Sequence, residues 1–360
     1  MLNYKFKKSD KIISNNSSTF IIAEAGVNHN GSEKLALELI NAASQSGADA
    51  IKFQTFNTKK LVSIYSETAE YQKKNTNESN QFSMLNKLEL SKETHIKIFE
   101  KCQELNIEFL STPFDIESAV FLVNLGMKKI KIPSGEITNL SFIKELASFN
   151  LPIILSTGMS SIDEVKDAVS TIKKMREIKN FSHPLDEMLT ILHCTSNYPT
   201  KYEDVNLKAI QTLEEKFSMP VGYSDHTLGI DVSSLAVVMG ARIIEKHFTL
   251  DKSMLGPDHK ASLNPEELCL MIKKIKETEV CLGDGIKEAQ KNEIPIKELV
   301  RRSVALKLDK KKGETLNSED LILLRPGNGI SPIELKKVFG KKIKKDTLKG
   351  TILCWSDINL

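Results

Sequence analysis

Two histidines hold matched places in the chain. His226 ends the run Val221-Gly-Tyr-Ser-Asp-His226, and His247 ends Ile243-Ile-Glu-Lys-His247. Each run begins apolar or β-branched and closes on polar groups, Ser224 and Asp225 in the first, Glu245 and Lys246 in the second. A buried strand tolerates such side chains only at a tip, where a partner, a ligand or water can meet them. The segment from Asp231 to Gly240 has the length and apolar content of a crossover helix. That predicts parallel neighbouring strands with both histidines at the same end. One such histidine is more often a satisfied core residue; a pair beside Asp225 and Glu245 reads as a metal or catalytic site. Two imidazoles are too few for a closed structural zinc site. They suit an open divalent site completed by water and a substrate oxygen.

Other strand-like runs end in the same manner. Lys52 and Lys131 share this pattern with Thr112, Ser134 and Ser156. Two ammoniums among hydroxyls make a site for a small anion bearing phosphate or carboxylate. Lysines that merely snorkel from a rim are the bland alternative. Glu24, Glu136 and Glu245 supply bases, or acceptors for a polyol. A metal-polarised carbonyl beside a phosphorylated partner suits carbon–carbon condensation, and metal-assisted hydrolysis would use the same kit.

The elements that position these groups come in a regular order. Phe20–Glu24, Ala50–Gln54, Phe109–Phe114, Ile130–Glu136, Pro152–Gly158 and Leu189–Thr195 join the two opening runs to make eight predicted strands. Helical periodicity separates them, at 92–105, 115–125, 139–149, 161–176, 204–216, 231–240 and 265–281, and after Ser32 with Leu35, Leu39 and Ala43 on one stripe. Eight strands alternating with helices predict an α/β fold, a (β/α)8 TIM barrel with its site at the C-terminal strand ends. The doubly wound alternative would more often carry a glycine-rich dinucleotide turn after the first strand, where this chain has Asn28-His29-Asn30-Gly31. A polar excursion over 57–90 is long enough to be functional or disordered.

The 360 residues accommodate a barrel at 1–282, a linker at 283–299 and a small β-rich domain at 300–360. Residues 300–360 carry fourteen Lys+Arg against seven Asp+Glu, so the formal +3 of the whole chain hides +7 in this tail and −4 before it. Few aromatics stand among those lysines, which argues against base stacking and for a solvated face. No nucleic-acid partner is expected. No apolar run is long enough for a bilayer, and the N-terminal residues lack the apolar middle of a secretory signal. Five scattered cysteines, none in a CxxC pair, suit a reduced cytoplasmic protein.

Taken in order, IIAEAGVNHNG, IKFQTF, LSTPFD, KIPSGEITNL, ILSTGMS, LHCTSNYPT, VGYSDHTLGI, IEKHFTLDKSMLGPDHKAS and RPGNGIS resemble the bacterial sialic acid synthase family from about residue 19 to the end. The resemblance implies a metal-dependent barrel that condenses phosphoenolpyruvate with an N-acylated amino sugar. N-acetylmannosamine is the first expectation, giving N-acetylneuraminate. The alternative is a 2,4-diacetamido-2,4,6-trideoxy hexose, giving legionaminate or another nonulosonate. It also implies an antifreeze-like (SAF) C-terminal domain, swapped across a homodimer. By resemblance His226 and His247 match ligands of Mn2+, with Mg2+ or Co2+ as alternatives. Lys52, Thr112, Lys131, Ser134, Ser156 and Ser224 match phosphoenolpyruvate contacts. Gln54, Asn75, Glu136, Tyr198 and Asp258 match the sugar side, Phe114 is a further expected substrate contact, and Arg325 reaches the acylamino group in the partner's site. Glu24 and Glu245, with Lys131 and Glu136, are the expected catalytic groups. At Ser196 the chain departs from relatives that carry Asn or Thr, and the resemblance assigns that residue no role.

Overall fold

The computed structural model describes Ile13 and residues 17–359, in two compact units, Met1–Gly283 and Asp284–Leu360. Apart from Ile13, the stretch weighed for a secretory signal lies outside the described residues. Among the described residues no helix is long and apolar enough to cross a membrane.

The first unit is the parallel barrel. Its strands are β1 (Phe20–Gly26), β2 (Ala50–Thr55), β3 (Glu108–Pro113), β4 (Ile130–Ile132), β5 (Ile153–Ser156), β6 (Leu189–Cys194), β7 (Val221–Asp225) and β8 (Ile243–His247). The ladder order is β3-β2-β1-β8-β7-β6-β5-β4, with β1 paired parallel to both β2 and β8. Helices separate successive strands, as the hydrophobic periodicity predicts. The first, Glu33–Ser46, starts where the Ser32 hydroxyl accepts the Leu35 N–H and stops at Gly47, whose φ of 87° few side chains tolerate.

Strand parity sorts the side chains. Ile21, Ala23, Ile51, Phe53, Phe109, Tyr223 and Ile244 join the large apolar layer that includes buried helix faces. The alternate residues Phe20, Ile22, Leu110, Ile154, Leu192 and Ile243 form a second apolar cluster with Ile13 and Ala50. Continuing each strand by two residues from that cluster reaches Glu24, Thr112, Ser156 and Glu245. The polar tips therefore stand on an apolar floor.

The excursion over 57–90 is ordered. It holds short helices at Thr58–Leu61, Glu70–Thr76 and Gln81–Asn86, and Met84 and Leu88 pack with Val27 and Phe56 in a small core of their own. Its polar composition concealed those few apolar anchors.

In the second unit β9 (Ser303–Leu306) pairs antiparallel with β10 (Leu321–Leu324). Single bridges such as Ala305 with Ile352 and Lys310 with Thr347 complete the β character. Val304, Leu306, Leu316, Val338, Ile343 and Leu353 are among the residues of a separate core. The stretch read as a linker carries a short helix, Ile294–Val300.

Gly222 of β7 shows how tightly the barrel is filled. A Cβ there would meet Leu192 Cδ2 at 2.4 Å and the Ile243 carbonyl oxygen at 2.8 Å. Neither strand can retreat without breaking its ladder. Gly222→Ala is expected to cost roughly 1–3 kcal/mol of stability through overpacking, read as a lowered urea midpoint by circular dichroism. An unchanged midpoint would show that the interior yields.

Candidate active site

At the C-terminal strand ends a cavity of about 290 Å³ opens. That is near the lower end of the ~300–1,000 Å³ usual for small-molecule sites. Its wall includes Glu24, Lys52, Thr112, Lys131, Ser134 and Ser156, together with Ser224, His226, Glu245 and His247. Gln54, Phe114, Tyr198 and Asp258 also line it.

Four buried charges form its base. Lys52 Nζ lies 2.7 Å from Glu24 Oε2 and 3.7 Å from Glu245 Oε2, and donates to Thr112 Oγ1 at 3.0 Å. Lys131 Nζ donates to Glu245 Oε1 at 3.2 Å, and Ser224 Oγ donates to the same oxygen at 3.0 Å. Burial pushes Glu24 up to about 7, because removal from water costs it more than Lys52 offsets and Glu245 adds like-charge repulsion. Burial would lift Glu245 too, but Lys131 and Lys52 outweigh it and hold this carboxyl well below the usual range. Lys52 is raised despite burial because it faces both carboxylates, whereas burial prevails at Lys131 and lowers it. Glu245 is thus a firm carboxylate, and Glu24 can give or take a proton near neutrality. Ser156 Oγ is buried without a hydrogen-bond partner, as expected of a donor reserved for a ligand.

The histidines stand beside this cluster. His226 Nδ1 lies 2.7 Å from the Thr195 carbonyl and donates to it, leaving Nε2 as the lone-pair nitrogen. The two imidazole centroids are 5.5 Å apart, and His247 Nδ1 is buried without a partner. Burial drives His226 down to about 4 and His247 well below its ordinary value, so both are neutral at physiological pH. Among the described residues no three or more His, Cys, Asp and Glu side chains gather as a metal-ligand cluster. Two neutral imidazoles with an orphaned nitrogen fit an open divalent site that needs other ligands, not a closed one.

Aromatic and loop residues build the rim. Tyr198 packs 4.2 Å from His226, centroid to centroid, and Tyr71 stacks on Tyr198 at 5.5 Å. Tyr71, Gln72, Met84 and Leu85 all come from the 57–90 excursion and line the cavity. Sequence reading missed them; the apolar Met84-Leu85 pair inside a polar stretch was the available signal. The backbone also takes part. Gly158 N–H donates to Ser134 Oγ at 2.9 Å, and a Cβ on Gly158 would fall 2.4 Å from Ser196 Oγ and 2.9 Å from Cys194 Sγ. Cys194 and Ser196 are therefore wall residues as well.

Two expected residues of the barrel are not among those that line the cavity. Glu136 sits in the turn Ser134–Glu136 after β4, where its Oε2 accepts from Asn139 Nδ2 at 2.8 Å, and it is not among the lining residues. Asn75 donates to the Pro257 carbonyl at 2.9 Å and is likewise not among them. Arg325 belongs to the second unit, where it is exposed.

Comparison with known proteins adds likenesses of three kinds, to family models, to whole relatives and to a solved structure. The NeuB family matches residues 39–287 and the SAF domain matches residues 301–359. The chain is 53% identical over 340 residues to the N,N'-diacetyllegionaminic acid synthase of Legionella pneumophila, covering 94% of each chain. It is 47% identical over 329 residues to the N,N'-diacetyllegionaminic acid synthase of Campylobacter jejuni, covering 91% of this chain and 96% of that one. The crystal structure of the N-acetylneuraminic acid (sialic acid) synthetase of Leptospira borgpetersenii, in complex with citrate, superposes with a TM-score of 0.70 at 36% identity, over 81% of this chain and 94% of that one.

Asp258 offers a test of the wall's electrostatics. Burial lifts its carboxyl from 3.8 to about 6. A raised carboxyl favours the neutral form in the fold, so ionisation costs stability as pH climbs. The penalty is absent below the unfolded value and complete above the folded one, at most about 3 kcal/mol at neutral pH. Asp258→Asn should therefore unfold at higher urea than the parent at pH 7.5 and at nearly equal urea at pH 3.8. Equal stability at both pH values would mean that Asp258 is solvated as well in the fold as outside it.

Proposed function

The chain belongs to the NeuB family, and from that premise we propose that it condenses phosphoenolpyruvate with a 2,4-diacetamido-2,4,6-trideoxy hexose to give a legionaminate-type nonulosonic acid and phosphate. The observation that carries the reaction class is one cavity holding two buried lysines, several hydroxyls and two neutral imidazoles. On the resemblance of the sequence motifs alone, N-acetylmannosamine ranks first. The two diacetyllegionaminic acid synthases, at 53% and 47% identity over nearly the whole chain, shift the weight to the diacetamido sugar. The Tyr71, Met84 and Leu85 wall supports the same choice, since a 6-deoxy carbon and a second acetamido group both bring methyls that gain from apolar contact.

In this reading Lys52, Lys131, Thr112, Ser134 and Ser156 hold the phosphate and carboxylate of phosphoenolpyruvate. Tyr198, Gln54 and Asp258 orient the open-chain sugar so that its aldehyde carbon faces the enol carbon. His226 and His247 would hold a divalent cation, Mn2+ by the family resemblance with Mg2+ or Co2+ as alternatives, which supplies Lewis acidity at the aldehyde oxygen. After the carbon–carbon bond forms, water adds to the carbon that bears the phosphate and Glu24 accepts its proton. Phosphate then leaves with the bridging oxygen, by C–O cleavage. A cytoplasmic setting accords with a phosphoenolpyruvate donor and with five free cysteines. The family resemblance further supports a homodimer in which Arg325 serves the site of the other subunit.

Phosphate release should require phosphoenolpyruvate together with the diacetamido trideoxy sugar, and should be weaker with N-acetylmannosamine. Added EDTA should abolish it and Mn2+ restore it. A preference for N-acetylmannosamine would overturn the sugar assignment, and full turnover of metal-stripped protein in EDTA the metal assignment.

The swapped arrangement has its own test. Arg325→Ala should weaken use of the sugar about ten- to a hundredfold, the kinetic equivalent of losing a charge-assisted hydrogen bond of roughly 1.5–3 kcal/mol. His226→Ala should be inactive for a separate reason. In a tag-selected mixed dimer, one site joins the intact barrel of the Arg325→Ala chain to the intact arginine of the His226→Ala chain. Activity should return there. Mixed dimers no better than the Arg325→Ala parent would refute the swap.

A further inference from the structure

The outer faces of β7 and β8 hold a second set of buried polar groups that the proposed chemistry does not use. Asp225, Thr227, Ser233 and Lys246 are each 0% exposed. None lines the cavity, because parity turns Asp225 and Lys246 away from the interior that receives Ser224, His226, Glu245 and His247. Their side chains form one closed network. Asp225 Oδ1 accepts from Thr227 N–H at 2.9 Å and from Thr227 Oγ1 at 2.7 Å. Asp225 Oδ2 accepts from Ser233 Oγ at 2.7 Å and lies 3.0 Å from Lys246 Nζ. Lys246 Nζ also donates to the Thr227 carbonyl at 2.6 Å.

Stability alone gives no account of this arrangement. A buried ion pair is often no better than apolar side chains of the same volume, since desolvation cancels much of the attraction. Its placement is more informative. The ladder between β7 and β8 ends at Asp225 with Lys246, one residue short of His226. Beyond it, the Lys246 ammonium grips the carboxylate just before His226 and the carbonyl just after it. Lys246 is itself the residue before His247. One ammonium thus ties both neighbours of His226 to the backbone that aims His247. On the far side, Thr200 N–H donates to the His226 carbonyl at 2.8 Å. The strand tip is clamped from two directions.

We propose that Asp225 and Lys246 form a positioning unit that sets the separation and aim of the two imidazoles, and so the affinity of the site for a divalent cation. The inference rests on the reading of His226 and His247 as metal ligands. Neither Asp225 nor Lys246 touches substrate or metal in it. Loss of groups that orient metal ligands weakens metal binding about 10- to 100-fold while leaving unrelated subsites intact. The lysines assigned to the anion stand on β2 and β4, not on the two strands that carry this clamp.

The test is a Mn2+ titration of the substrate-free, metal-stripped protein, following free Mn2+ by electron paramagnetic resonance. The test protein is the double variant Asp225→Asn/Lys246→Met, in which no buried charge is left unpaired. With circular dichroism confirming the fold, its Mn2+ Kd should rise about tenfold or more, while phosphoenolpyruvate binding by calorimetry stays within about twofold. A folded double variant that binds Mn2+ like the parent would overturn the proposal. So would equal losses of Mn2+ and phosphoenolpyruvate binding, which would mark a general collapse of the barrel mouth. Should the double variant fail to fold, Asp225→Asn alone is expected to weaken Mn2+ binding about threefold or more, and an unchanged Kd there has the same overturning force. His226→Ala should bind no Mn2+ at this site. A wild-type protein without a Mn2+ site would remove the metal reading itself, and the positioning role with it; intact Mn2+ binding by the double variant removes only the latter.

Discussion

Two buried ammoniums and two buried carboxyls sharing the mouth of one barrel are the constraint on which the rest of the site depends. An isolated charge at that depth would cost several kcal/mol, so each must find its counterion through tertiary structure. Lys52 and Glu24 are register partners on adjacent strands, and the pair is local. Lys131 and Glu245 are not. β4 and β8 stand four positions apart in the ladder order, yet Lys131 Nζ reaches Glu245 Oε1 at 3.2 Å. Only a sheet curled back on itself brings those tips together across its interior. The ion pair is therefore a statement about barrel closure, although no ladder joins β3 to β4, the two ends of the sheet order.

This explains what was legible in the sequence. A short apolar or β-branched run and its abrupt change to charged residues are properties of single strands, so all eight strands and most of their polar tips could be read from local pattern. What the pattern could not carry was assembly over distance. Glu136 was read as a strand tip and Asn75 was assigned by resemblance, and the geometry gives each a nearby structural partner, Asn139 and the Pro257 carbonyl. Tyr71 was invisible for the opposite reason. Nothing in EYQKKNT separates a tyrosine that stacks on Tyr198 from one in a solvated helix. The helix Ile294–Val300 was hidden too, because Pro295 and the Gly-Asp-Gly start of that segment read as linker punctuation.

The loops beyond β1 and β8 extend the same logic from charges to amides. Asn28 Nδ2 donates to the Phe248 carbonyl and to Ser262 Oγ, both at 2.9 Å. Asn30 Nδ2 donates to the Leu255 carbonyl at 3.0 Å, and its Oδ1 lies 3.1 Å from His259 Nε2. The Asn28-His29-Asn30-Gly31 turn is thus a staple for the segment that presents Pro257 and Asp258 to the cavity. In sequence it suggested only a turn. Its asparagines matter because each can satisfy backbone groups of a loop more than two hundred residues away in the chain, which a small hydroxyl would not span.

The electrostatics of the cluster also bear on the order of events in the proposed reaction. Glu245 is held as a carboxylate by Lys131 and Lys52, while Glu24 lies close to its midpoint near neutrality. An arriving phosphate and carboxylate would be drawn to Lys52 and Lys131 and would compete with the glutamates for them. In that competition Glu24 would share its Lys52 counterion with the substrate. A base whose proton affinity lies close to neutrality suits the capture of a proton from water better than one fixed by a permanent ion pair. Glu245, bound by Lys131 and by the Ser224 hydroxyl, keeps its charge through that exchange and holds the lysine framework in place.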